Sequence, residues 1–122
     1  MMDRRLLGRF GEAKAAELLR RKGFKILAMN FTTRFGEVDV IAENREFLVF
    51  AEVKLRKNAR FAEAREFVTR QKQQRIVLTA QQWLQQQPTK KQPRFDVIEV
   101  YAPDGAEGRV EIQHWENAFD AM

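Results

Sequence analysis

The sequence predicts one α/β domain with a mixed central sheet flanked by helices, in the element order αβββαββ. Two segments repeat apolar residues at helical spacing, and five shorter segments alternate or run apolar as strands do. The length of 122 residues lies within the range of about 100–200 residues that one domain usually spans. We therefore expect residues 1–122 to form a single domain.

The first half of the chain is predicted to hold one helix followed by three strands. Residues 3–22 carry an apolar stripe at helical spacing, and Gly23 is a plausible stop signal after it. The runs 24–31, 37–43 and 47–54 are β-prone and are separated by short turns. These three runs are typical of a meander of adjacent strands.

The second half is predicted to hold another helix and two more strands. Residues 62–87 place apolar side chains at helix spacings, and a proline at position 88 ends the pattern. The segments 95–102 and 109–115 read as strands. His114, the only histidine of the chain, is expected to be a partly exposed strand residue and not a ligand.

Composition excludes several classes of protein. With no cysteine in the chain, disulfide scaffolds, cysteine-based zinc sites and thiol catalysis are excluded. The charged first residues do not resemble a signal peptide, and no apolar run approaches the roughly 18 residues of a membrane span. We expect a soluble cytoplasmic protein that does not bind membranes.

Positive charge is concentrated in the middle third of the sequence. Residues 54–94 carry 11 basic and 2 acidic side chains, whereas residues 95–122 carry 1 basic and 7 acidic ones. Such a block is typical of proteins that bind a phosphate backbone, although a solvated helix face would have the same composition. The residues predicted to bind nucleic acid are Arg56, Lys57, Arg60, Arg70, Lys72 and Arg75.

Four charged residues interrupt an otherwise apolar pair of strands. Strand alternation places Glu37 and Asp39 on one side of the first strand, with Val38 and Val40 on the other. Antiparallel pairing around a turn centred between residues 45 and 46 then places Asp39 opposite Glu52, and Glu37 opposite Lys54. Four charged groups are therefore expected to converge on one patch.

A divalent cation would explain this convergence. Neighbouring carboxylates repel, and a buried charge without a partner costs several kcal/mol. Mg²⁺ prefers one or two carboxylates together with water and substrate phosphate, and Lys54 beside it could orient a water or steady a phosphate. The alternative is a salt bridge between Glu37 and Lys54 beside a solvated pair of Asp39 and Glu52.

The motif GEVDVI followed by FAEVKLR resembles the PD-(D/E)xK nuclease superfamily, which has the restriction-endonuclease-like fold. The match is closer to its small bacterial YraN-like branch of predicted endonucleases, distant relatives of archaeal Holliday junction resolvases. Similarity runs from the phrase GxxGExxAxxLLxxxGF (8–24) to RFDV (94–97). Two features depart from the pattern: residues 36–38 read Gly-Glu-Val where the motif has its proline, and the segment after Arg56 lacks the expected glycine.

The resemblance implies roles for individual residues. Asp39 and Glu52 would be metal ligands, Lys54 the catalytic lysine, and Glu12 the acidic residue contributed by the first helix. Glu37 and Glu12 could bind a second metal ion or support the ligands of the first. The cofactor would be Mg²⁺, with Mn²⁺ as a substitute. The implied activity is endonucleolytic cleavage of nucleic acid, expected to be DNA, including branched recombination or repair intermediates cut by a homodimer.

Two other functions are compatible with the sequence. One is a nucleic-acid-binding module that keeps the nuclease fold without cleaving, and the other is a protein-interaction domain that uses the basic block. Stabilisation by Mg²⁺ or Mn²⁺ would favour the enzyme over the module. Low affinity for every nucleic acid at modest salt would favour the interaction domain.

Overall fold

The computed structural model describes residues 4–56 and 68–121, which form two helices and a five-stranded sheet. The elements are α1 (Arg4–Arg21), β1 (Lys25–Thr33), β2 (Gly36–Glu43), β3 (Phe47–Arg56), α2 (Arg70–Gln86), β4 (Gln92–Tyr101) and β5 (Glu111–Phe119). The predicted order αβββαββ is confirmed, and it is consistent with a restriction-endonuclease-like core. Neither described helix is long and apolar enough to cross a membrane.

The sheet is mixed, as predicted. Its strands lie in the order β1-β2-β3-β4-β5. Strands β3 and β4 are parallel, and every other neighbouring pair is antiparallel. Parallel neighbours need a long crossover connection, and α2 lies in the segment that joins β3 to β4.

Helix α1 ends where the sequence predicts, for a local reason. Gly23 adopts a φ of 93°, a left-handed conformation that costs a glycine little. Its N–H bonds to the carbonyl of Arg20, and the N–H of Phe24 bonds to that of Leu19, which is the Schellman arrangement. Leu19 and Ala15 of the same helix are completely buried in one of the two hydrophobic clusters of the sheet.

Helix α2 begins later than predicted. Thr69 has an extended backbone (φ −63°, ψ 158°), and its hydroxyl accepts a hydrogen bond from the N–H of Lys72. This N-cap starts the helix at Arg70, so the prediction of a continuous helix over 62–87 is wrong at residues 68 and 69. The remainder of that predicted start, residues 62–67, lies outside the described residues.

Both faces of the sheet are covered. One cluster packs side chains of α1 against β2, β3 and β4, and the other packs Ile76 and Ala80 of α2 against the same strands. The second cluster includes a row of stacked rings, Phe50 on Phe95 and Phe95 on Phe119. Burial on both faces explains why the central strands read as apolar runs.

The last strand is longer than predicted, because it continues to Phe119 instead of ending near Trp115. The pairing of β4 with β5 shifts register between Phe95 and Val97, and Asn117 has a φ of 52°. This irregularity interrupts the alternation of side chains. A pattern of period two therefore could not indicate the end of the strand.

The pairing of β2 with β3 positions the candidate site. The predicted register is confirmed from the pair Val40–Ala51 to the pair Glu43–Leu48. Beyond Val40 and Ala51 the two strands, described throughout, are no longer paired, although β2 starts at Gly36 and β3 continues to residue 56. The strands therefore separate into a fork at this point.

Candidate functional site

Asp39 occupies the opening of the fork. Its Oδ2 accepts a hydrogen bond of 2.8 Å from the backbone N–H of Val53, so a side chain takes the place of a ladder bond between β2 and β3. The expected alternation is also wrong here, because Val38 packs in the α2-side cluster and Val40 in the α1-side cluster. Asn30, which lies beside Asp39 on β1, has a φ of 54°, and this local irregularity accompanies the change of face.

Three carboxylates meet around the fork. One oxygen each from Glu12, Glu37 and Asp39 lies within 4.8 Å of the others. Helix α1 contributes Glu12, next to Gly11, which is packed against Leu55 of β3. Glu12 of the first helix therefore reaches Glu37 and Asp39 of β2.

Negative charge in this cluster is poorly compensated by the protein. Burial, followed by the charge of Glu52, raises the pKa of Asp39 to about 8, against the opposing hydrogen bond from Val53. Burial also raises the pKa of Glu12, although a hydrogen bond with Asn30 opposes the rise. Within the described residues none of the three carboxylates of the cluster forms an ion pair, and a bound divalent cation would supply the missing counter-charge at short range.

Glu52 has two lysine neighbours. Its side chain is 5% exposed and lies 2.8 Å from Nζ of Lys72 and 3.7 Å from Nζ of Lys54. Burial and then the charge of Lys72 lower the pKa of Lys54. Burial also acts to lower the pKa of Lys72, but the hydrogen bond and charge of Glu52 outweigh it and raise that pKa. The two ammonium groups therefore differ, with Lys72 the firmly charged one.

Three of the predicted acidic residues share one cleft, and one predicted pairing does not form. A cleft of about 340 Å³ is lined by Glu37, Asp39 and Glu52 together with Lys72. The pairing of Glu37 with Lys54 is wrong, because Glu37 faces β1 in the ladder and these two described residues form no ion pair. The salt-bridge alternative for the four charged residues is therefore not the arrangement observed.

The predicted nucleic-acid-binding residues have different surroundings. Arg70 is exposed at the start of α2, and Arg75 lines the same cleft as Asp39. Arg56 lies instead against the buried Glu99, with Nε 3.6 Å from Oε2. The two remaining candidates, Lys57 and Arg60, lie outside the described residues.

Sequence reasoning missed three residues at the site. A second cleft, of about 330 Å³, is lined by Arg5, Arg9 and Asn30 together with Glu12 and Glu37. Asparagine is depleted in strands and tolerates a positive φ, so its position within an apolar run was a usable signal. The two arginines gave no such signal, since surface helices often carry arginines.

His114 is more buried than the sequence predicts. Its side chain is 3% exposed, with Nε2 2.7 Å from Oδ2 of Asp96 and Nδ1 2.8 Å from Nζ of Lys22. Both ring nitrogens are thus occupied by protein groups. The expectation of partial exposure is wrong for the side chain, which joins the end of α1 to β4 and β5.

The chain has many relatives of its own length. A UPF0102 protein of Pelotomaculum thermopropionicum is 42% identical over 118 residues, covering 95% of this chain and 97% of that protein. One from Geotalea daltonii is 43% identical over 119 residues, covering 97% and 92%. One from Vibrio campbellii is 41% identical over 104 residues, covering 83% and 85%.

Fold and site together define an α/β protein with an acidic cluster and two lysines at a forked sheet. The model of the uncharacterised protein family UPF0102 matches residues 11–100, which include every residue of the acidic cluster. The chain belongs to this family. The family's description assigns no activity, so the nuclease relationship implied by the motifs stays a prediction.

Proposed function

We propose that this protein is a metal-dependent endonuclease that hydrolyses phosphodiester bonds of nucleic acid. The observation that carries the proposal is the meeting of Glu12, Glu37 and Asp39 within 4.8 Å, beside a cleft that also contains Glu52 and Lys72. Glu12 and Asp39 are half-buried and Glu37 is exposed, and half-buried carboxylates with a purely structural role are usually paired with cations of the protein.

The donor set fits Mg²⁺, with Mn²⁺ as a substitute. All candidate ligands are carboxylate oxygens, which hard divalent cations prefer. Asp39 is the central ligand in this proposal, with Glu12 and Glu37 beside it and Glu52 as a fourth carboxylate on the lysine side. The ion would act as a Lewis acid on the scissile phosphate and make water a stronger nucleophile.

Lys54 is the proposed catalytic lysine. Its Nζ lies near Glu52, and its pKa is lowered chiefly by burial. An ammonium group in such a position can orient the attacking water or stabilise the charge that develops on the phosphate. Lys72, which lies 2.8 Å from Glu52, would hold that carboxylate in place.

The substrate proposed is DNA, bound through its phosphates and not through its bases. Arg75 and Lys72 of α2 line the cleft that contains Asp39, and arginine matches the geometry of a phosphate. The resemblance to resolvase-like enzymes extends the proposal to branched intermediates cut by a homodimer. Contacts to phosphates position a nucleic acid without reading its sequence.

A cleavage assay on a panel of linear and branched DNAs tests the proposal. Wild type should cleave with Mg²⁺ or Mn²⁺ and not after chelation, and Asp39→Asn should not cleave. Asp104→Asn, in the exposed turn before β5, is the matched control and should cleave as wild type does. If wild type, Asp39→Asn and Asp104→Asn all bind DNA and none of them cleaves it, the proposal is contradicted and the non-catalytic module is favoured.

A further inference from the structure

The acidic cluster is bordered by two clefts. The cleft on the α2 side contains Lys72 and Arg75, and the cleft on the α1 side contains Arg5 and Arg9. Glu37 lines both of them. Because the two helices pack on opposite faces of the sheet, the cluster lies between one pair of cations from each helix.

Arg5 and Arg9 are arranged to act together. Residues four apart on a helix project from the same face, and both side chains are exposed. The charge of Arg9 reaches the acidic cluster, since it lowers the pKa of Glu12 against the larger effect of burial. Neither guanidinium forms an ion pair with a carboxylate of the described residues, whereas Arg21 on the same helix pairs with Glu17.

We infer that Arg5 and Arg9 form a second phosphate-binding subsite, which would hold the substrate strand on the α1 side of the scissile phosphate. The inference rests on the proposed function and names its substrate class. Three carboxylates repel a polyanion, so cations on both sides would favour a strand that crosses the cluster. Guanidinium groups can bind phosphate oxygens in pairs, which fixes the strand as well as attracting it.

A grip on both sides has a consequence for the substrate. A terminal phosphate or a mononucleotide would occupy only one of the two basic pairs. A strand that continues in both directions would occupy both, with one phosphate or more on each side of the bond that breaks. The substrate is therefore an internal segment of a polynucleotide strand, and cleavage is endonucleolytic.

Salt-dependent binding of a single-stranded oligonucleotide, in metal-free buffer so that no cleavage occurs, tests the subsite. The variant is the double substitution Arg5→Ala and Arg9→Ala. The control is Arg20→Ala with Arg21→Ala, which removes the same charge from the exposed far end of α1. Alanine favours helix in both variants, so circular dichroism should show α1 intact.

The expected result is a shallower dependence of log affinity on log salt. The slope falls by about 0.7 for each phosphate of a single strand that the protein no longer neutralises, hence by about 1.4 for the Arg5/Arg9 variant if each arginine binds one phosphate. The control should keep the wild-type slope. Equal slopes for the two double variants would overturn the subsite.

Replacing single phosphates of the oligonucleotide by neutral methylphosphonates gives a second readout. Wild type should lose affinity at positions on both sides of the site, and the Arg5/Arg9 variant should be insensitive at the positions on one side only. If wild type cleaves DNA but wild type and the Arg5/Arg9 variant lose affinity at the same methylphosphonate positions, the subsite is overturned and the proposed function still holds. If the Arg5/Arg9 variant is insensitive on one side only but wild type does not cleave DNA, the subsite is supported and the proposed nuclease activity is contradicted.

Discussion

Two aspartates of the same sheet, one buried and one half-buried, have opposite surroundings. Asp96 on β4 is completely buried and receives two bonds of 2.9 Å from Arg94, one of 3.0 Å from the N–H of Asn117, and a contact of 2.7 Å with His114. Asp39 on β2 receives one protein hydrogen bond of 2.8 Å, from Val53. The first carboxylate is surrounded by donors, whereas the second is surrounded by other carboxylates.

The pKa values of the two aspartates reflect this difference. Burial alone would raise the pKa of Asp96, but the bonds from His114, Arg94 and Asn117 outweigh it and lower that pKa. Burial raises the pKa of Asp39 to about 8, and the charge of Glu52 adds to the rise. A completed set of partners indicates a structural role, and a raised pKa with an incomplete set of partners is typical of a functional site.

Cleft size alone points to a different part of the molecule from the acidic cluster. The largest of the clefts described, about 700 Å³, is lined by Arg94, Phe95 and Asn117 beside the satisfied aspartate. The guanidinium there is already engaged with Asp96 and lies over the ring of Phe47. Uncompensated charge therefore locates the candidate site better than volume does.

We expect the largest effect on stability when the hydrogen-bonded carboxylate of Asp96 is removed. Asp96→Ala removes the carboxylate that accepts two hydrogen bonds from the buried Arg94, and breaking a buried pair in this way typically costs about 3–5 kcal/mol. Denaturant unfolding should show this loss at neutral pH, and Asp104→Ala, in an exposed turn, should change little. A loss below about 1 kcal/mol for Asp96→Ala would show that the network is not structural.

The largest effect on activity is expected at Lys54. Lys54→Ala should reduce single-turnover cleavage by about 10²–10³, which is typical when one stabilising donor is removed, while DNA affinity changes far less. Lys54→Arg should not restore the rate, because a planar guanidinium places its charge differently. Lys90→Ala, in the exposed loop before β4, serves as the control. Equal cleavage by wild type and Lys54→Ala would remove this lysine from the mechanism.

A pH series separates the two aspartates by sign. The pKa of Asp39 is raised in the folded protein, so unfolding releases its proton between the ordinary value of 3.8 and about 8. Its contribution to stability therefore falls as pH rises through that window, by up to about 1.4 kcal/mol per unit. Asp39→Asn should remove this dependence. In metal-free buffer the melting temperature of the variant should therefore rise relative to that of wild type as the pH increases from 5 to 8. A constant difference in melting temperature between wild type and Asp39→Asn over this pH range would contradict the raised pKa.

Asp96 should behave in the opposite way. Because its folded pKa is lowered, its contribution is present above its ordinary pKa and is lost as pH falls through the lower folded value. The difference in the free energy of unfolding between wild type and Asp96→Asn should therefore shrink in acid, below about pH 4. Denaturant unfolding between pH 2.5 and about 5 measures this convergence, and a constant difference between the two proteins would contradict it.

The smallest effect is expected at the edge of the satisfied network. Lys22→Ala removes one donor to His114 but leaves the bonds to Asp96 in place, so we expect a loss of about 0.5–1.5 kcal/mol. Denaturant unfolding checks this value against Arg20→Ala, an exposed cation two residues earlier in the last turn of α1. A loss as large as that of Asp96→Ala would mean that the lysine, and not the arginine, anchors the network.

Much of the site's framework could be predicted from the sequence. Antiparallel pairing around a short turn is enough to predict that Asp39 lies near Glu52, although the alternation expected at Val38 and Val40 is wrong. The opening phrase placed Glu12 at the site through the resemblance alone. The end of the ladder could not be predicted, because a side-chain carboxylate replaces a backbone acceptor for Val53.

Long-range polar contacts explain the other misses. His114 and Asp96 are 18 residues apart and meet across strands whose register shifts between Phe95 and Val97. Lys72, which the sequence predicts to bind the phosphate backbone, also contacts Glu52 across the fold, and the sequence does not predict that contact. Such pairings depend on how α2 packs on the sheet, and no local pattern records that.

Calorimetric titration of the metal-free protein with Mn²⁺ tests the central claim that the poorly compensated carboxylates bind a divalent cation. Wild type and Asp104→Asn should bind with the same stoichiometry and affinity, and Asp39→Asn should show no binding in the same range. Binding by Asp39→Asn equal to that of wild type, or no binding by wild type, would contradict the account.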